Sequence, residues 1–118
     1  MRPTVAVTAA LVLLLGTGAA KAADPAQFAE TAGFLLGNAH RCGVPTDRVE
    51  HAGKVIHDLI VAASYDSTEE AAADSRFAQM FMASAFPDQG GDALIPPCKV
   101  VIAQFDRLEQ HHQQAGMH

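Results

Sequence analysis

From residue 25 onward, apolar side chains recur at spacings of three and four, in four blocks separated by turn residues. This is the signature of amphipathic helices. The first block carries Phe28, Thr31 or Ala32, Leu35 and Leu36. Asp24 stands before it as a cap, and Pro25 suits the first helical position, where a missing N–H costs nothing. A helix over 25–39 is predicted, weakened near Gly37, with an exit through Cys42 and Gly43. The second block reads Val49, Ala52 or Gly53, Ile56, Leu59 or Ile60, and Ala63. Thr46 and Asp47 both qualify as its cap, and Asp47 with Glu50 has the capping-box spacing. A helix over 47–64 follows. The run Leu59 to Ala63 is apolar enough to face two neighbours. A strand there is outweighed by a stripe that already begins at Val49.

The third block opens on Ser67-Thr68-Glu69-Glu70, which predicts Ser67 as cap with Glu70 reaching back to it. Phe77 or Ala78, Phe81 and Ala85 continue the pattern, and Met80 and Met82 widen it. Pro87 stops the helix, placed at 68–86, and Gly90-Gly91 marks a loop. Pro96-Pro97 punctuates the fourth block, with Pro97 in its first position. Val101, Ile102, Phe105 and Leu108 form its stripe, placing the helix at 97–112 with a frayed tail from Gln113 to His118. Four apolar stripes must hide against one another, so the expected architecture is all-α: a small four-helix bundle.

The N-terminal segment has another character. Arg2 precedes an apolar run from Val5 to Leu15, glycines follow at 16 and 18, and Ala20-Lys21-Ala22 places small residues where a signal peptidase reads. The run is about 11 residues, and a membrane span needs roughly 20. Residues 1–22 are therefore expected to be a signal peptide cleaved near Ala22. That leaves 23–118 as a single helical domain, periplasmic or secreted, with no membrane insertion of the mature chain. Removing Arg2 and Lys21 takes the formal net charge from −5 to −7. An acidic surface disfavours nucleic acid and anionic membranes and permits a basic partner. Export also gives the two cysteines a chemistry. Cys42 and Cys98 are expected to join in a disulfide that staples the bundle.

Candidate chemistry is sparse. The six histidines are His40, His51, His57, His111, His112 and His118. Imidazole suits copper, nickel or zinc, but no two histidines stand four apart on one helix. The nearest to a ligand set is the C-terminal group His111, His112, Met117 and His118. Asp66, Glu69, Glu70 and Asp74 read as acidic residues favoured at a helix start. Met80 and Met82 project about 200° apart on a helix, and suit a core or an adaptable interface. With Phe86, Leu94 and Ile95 they make the candidate interaction surface. The chain has no nucleophile elbow, zinc-protease helix, phosphate loop or haem-attachment motif. The expected role is thus a small exported, non-enzymatic protein that binds another protein or a small ligand. The alternatives are a periplasmic metal or small-ligand carrier that uses the histidines, and an acid-responsive chaperone. A chain this short also leaves room for a homodimer.

Overall fold

The structure, a computed structural model, describes residues 24–87 and 95–116. The segment read as a signal peptide, Leu94, Met117 and His118 lie outside the described residues. Four helices follow in order: α1 (Pro25–Arg41), α2 (Thr46–Ala63), α3 (Ser67–Ala85) and α4 (Cys98–Gly116). There is no strand among the described residues, and the bundle is the all-α fold that the periodicity predicts.

α1 is the central helix and touches the other three. Its start is the expected one, with Asp24 Oδ1 accepting from the Ala26 N–H at 3.1 Å and Pro25 following. Its end lies at Arg41, past the expected residue 39. The chain leaves through Gly43, whose φ of +93° favours glycine. Gly43 N–H donates to the His40 carbonyl (3.1 Å), and Val44 N–H donates to Ala39 (3.0 Å). Val44 and Ala39 are both buried, which supplies the apolar contact that accompanies such a stop.

α1 and α3 form the tightest pair. Gly33 lies against the backbone of Phe77 and Phe81, and Gly37 against Phe81 and Ala85. Residue numbers rise together along the contact, so the two helices run in the same direction. A Cβ at Gly33 would sit 2.6 Å from the Phe77 carbonyl oxygen, and one at Gly37 would sit 2.5 Å from that of Phe81. The glycines are therefore a condition of this approach. The sequence reading gave Gly37 only a helix-weakening role, because propensity sees no partner. Here it lies inside α1 and is buried.

α2 buries Val49, Ala52, Ile56 and Ile60 along one stripe. Its cap differs from expectation. Pro45 holds the cap position without a side-chain bond, and its carbonyl accepts from the N–H groups of Arg48 and Val49. The 59–63 run does not serve two neighbours. Ile60 is buried, whereas Leu59 and Val61 are exposed, and α2 and α3 share few contacts. α3 is capped one residue earlier than expected. Asp66 Oδ1 accepts from the Glu69 N–H at 2.9 Å, and the Glu69 carboxylate reaches back to the Tyr65 N–H. Asp66 wins over Ser67 because it takes the extended backbone of a cap while Ser67 is already helical.

α4 begins at Cys98, with the Pro97 carbonyl accepting from Val100 and Val101 at 3.1 Å each. It continues past residue 112 to Gly116, so the expected fraying from Gln113 is not seen as far as that residue. Val101 and Phe105 are buried. Arg48 of α2 lies over the Phe105 ring, 5.4 Å from its centre, and pairs with Glu109 and Asp106. The hydrogen bonds that Arg48 donates to Glu109 first, offset in part by desolvation and then aided by the one to Asp106, push the Arg48 pKa further up. The Cys42–Cys98 disulfide joins the end of α1 to the start of α4. Arg41 reinforces that junction by donating to the Pro96 carbonyl (2.9 Å) and to buried Asn38 (3.0 Å). No described helix is long and apolar enough to cross a membrane.

Candidate functional site

Because α3 is drawn onto α1 by the glycine contact, its backbone carbonyls at Phe77 and Phe81 face α1. Their rings pack on each other with centres 6.2 Å apart, and both residues line the edge shared with α2. α2 meets this edge with Val49 and Gly53. Gly53 has no side chain to fill the space, and a groove of about 290 Å³ remains. Buried Leu36 of α1 also lines it, Ala78 and Met82 complete the α3 wall, and Glu50 is the one charged residue of the lining. Met82 is 55% exposed there, so its thioether offers adaptable surface to solvent.

Beyond the groove, toward the 64–66 turn, the same pair of helices becomes polar. His57 of α2 faces Glu70 and Asp74 of α3, one helical turn apart on the same face. One ligand atom from each lies within 4.8 Å of the others, and His57 Nδ1 is 3.2 Å from Asp74 Oδ1. His57 is exposed and both carboxylates are half-buried. Among the described residues, no lysine or arginine pairs with Glu70 or Asp74; Arg48 goes to Asp106 and Glu109, and Arg76 to Glu30. This cluster was missed from sequence. Glu70 and Asp74 passed as ordinary helix-start acids, and His57 has no ligand-type residue three or four positions away on its own helix. The available signal was geometric: His57 and Asp74 are nearly equidistant from the turn, so an antiparallel helical hairpin must place them side by side.

Among the described residues, those expected to form an interaction surface take separate places. Met82 lines the groove. Met80 points elsewhere, with its Cβ against Gly33 in the α1–α3 contact. Phe86 is the C-cap of α3 and packs near the His40 ring, at 5.9 Å between centres, where Phe81 is also a neighbour at 6.1 Å. Ile95 is exposed and stands apart from the groove lining. Of the C-terminal histidine group, two members lie among the described residues. His111 and His112 are both exposed, and His112 faces His51 across a cleft of about 60 Å³ between α2 and α4. The carboxylate beside that cleft, Glu109, is already held by Arg48.

Three serines of the described helices and turns have local uses. Ser64 Oγ donates to the Ile60 carbonyl at 2.6 Å, Ser75 Oγ accepts from Gln79 at 3.3 Å, and Ser84 is buried against Gly37. What the surface offers is thus a carbon-lined groove and, at its end, a small set of nitrogen and oxygen donors. Compared with protein-family models, curated proteins and solved structures, the chain matches none.

Proposed function

We propose that this chain is a small exported binding protein that receives the apolar side chains of a protein partner in the α2–α3 groove. The observation that carries the reading is the groove itself, lined by Leu36, Val49, Phe77, Ala78, Phe81 and Met82. A groove open to solvent leaves a small apolar molecule half in water. The apolar face of a helix would fill it and cover Met82 at the same time. Glu50 at its rim and the acidic balance of the chain favour a basic flank on that partner. The disulfide fits an oxidising compartment, and with the leader-like N-terminus it supports export.

The test is a photo-crosslinking residue placed at Met82 in the cell that exports the protein, with Arg107 of α4 as the control position. A discrete crosslinked protein with a basic amphipathic segment, formed from Met82 and not Arg107, and abolished by Ala78→Glu, is the expected result. The same products from both positions would count against the reading. So would a small organic mass retained by the purified protein in native mass spectrometry, which would turn the groove into a ligand pocket.

A further inference from the structure

We propose that His57, Glu70 and Asp74 form a binding site for one divalent transition-metal ion, with zinc as its representative. The donor set is mixed, one imidazole and two carboxylates, and it is gathered from two helices. Imidazole selects zinc, copper, nickel and cobalt over calcium and magnesium, which take six or more oxygens. Zinc holds nitrogen and oxygen at about 2.0–2.2 Å, which places neighbouring ligand atoms about 3.4 Å apart around a tetrahedral ion. The three ligand atoms already lie within 4.8 Å of one another, and the His57–Asp74 edge is at 3.2 Å.

Charge argues the same way. Two carboxylates lie side by side with no lysine or arginine in pairing range among the described residues. A dication is the counter-charge that this arrangement lacks. Three protein ligands leave a coordination position for water, which is the pattern of an open site. The ion would clip α2 to α3, a pair that shares few contacts, next to the turn. The proposal is independent of the groove reading and of the C-terminal histidines, which lie on α4.

The experiment is calorimetric titration of the disulfide-bonded protein with zinc alone, alongside the single variants His57→Ala, Glu70→Gln and Asp74→Asn and a His111→Ala/His112→Ala pair. Wild type is expected to bind one zinc. Each single variant should weaken binding at least about tenfold, and the double variant should keep it. A His57-specific imidazole ¹⁵N shift on adding zinc is the second readout. Circular dichroism confirms that each variant is folded, and the exposed or half-buried positions make these substitutions mild. Glu70→Gln is the decisive variant, because Glu70 is outside the His57–Asp74 hydrogen bond and a purely structural pair would not need it. The proposal is overturned if wild type binds no zinc at high micromolar concentration, if Glu70→Gln binds as tightly as wild type, or if binding follows His111 and His112.

Discussion

Helix α3 meets two neighbours in opposite ways. Toward α1 it comes so close that glycine is required at 33 and 37, with backbone carbonyls only 2.5–2.6 Å from where a Cβ would lie. Toward α2 it stands off and leaves a groove, and a Cβ added at Gly53 would find its nearest neighbour, Leu36 Cδ2, at 3.9 Å. One residue type thus marks a closed contact on one side and unfilled space on the other. The two are linked. The same two residues, Phe77 and Phe81, meet the glycines through their backbone and line the groove beside α2. Close packing in one seam adjoins accessible apolar surface in the next.

The largest expected effect tests what encloses both regions. The Cys42–Cys98 bond closes a loop with a sequence separation of 56, and that loop carries all of α2 and α3. In the chain-entropy picture its loss costs about 4 kcal/mol, a large share of the stability of a domain this size. Urea denaturation of the oxidised protein and a Cys42→Ala/Cys98→Ala variant should show that difference in midpoint. A shift below about 1 kcal/mol would mean that the unfolded chain already keeps α2 and α3 near α1.

Next come the glycines, where the same substitution should change sign. Alanine is favoured over glycine inside a helix by about 0.8–1 kcal/mol. At Gly33 and Gly37 the backbone must move to admit the methyl group, and overpacking of this kind costs about 1–3 kcal/mol. Gly33→Ala and Gly37→Ala are therefore expected to lower the melting midpoint, Gly37→Ala more, since Ser84 Cβ also lies 2.8 Å from its added Cβ. Gly53→Ala is expected to raise stability by about 0.4–1 kcal/mol. Stabilisation by all three would break the comparison, because it would mean that the seam can open without loss.

The helices were legible because their signals are local. Asp24-Pro25, the Val49–Ile60 stripe and the stop after Phe86 each depend on neighbours in sequence, and the cap shift from Ser67 to Asp66 is a one-residue choice between adjacent candidates. The disulfide was legible because only two cysteines exist. The seam was not. Gly33 and Gly37 acquire meaning only opposite Phe77 and Phe81, far along the chain, and α3 has only two small buried alanines and Ser84 to announce a core face. The site shared that fate. Met82 was singled out as an adaptable apolar residue, but its partners in the groove, Gly53 and Leu36, belong to other helices. His57 likewise needs Asp74 across the hairpin before it has any chemistry.

The smallest effect on stability is also the one that separates an interaction surface from a core. Met82 projects from the groove wall with more than half of its surface in water, so Met82→Lys should shift stability by no more than about 0.5 kcal/mol. The lysine stem can lie along Phe77 or Ala78 while its ammonium reaches solvent or Glu50. A charge at the mouth of a carbon-lined groove should nonetheless deter apolar occupants. Fluorescence of an apolar naphthylamine dye is expected to rise on mixing with wild type and to fall severalfold with Met82→Lys. Ile102→Lys, on an exposed part of α4, should leave it unchanged. If Met82→Lys instead destabilised the protein as much as Gly37→Ala, the α2–α3 space would be core in solution, closed by movement of α2. If Ile102→Lys lowered the dye signal equally, the dye would be reporting general surface apolarity. Loss of dye at unchanged stability, from Met82 alone, would leave the groove as a preformed surface whose cost is already met by the seam behind it.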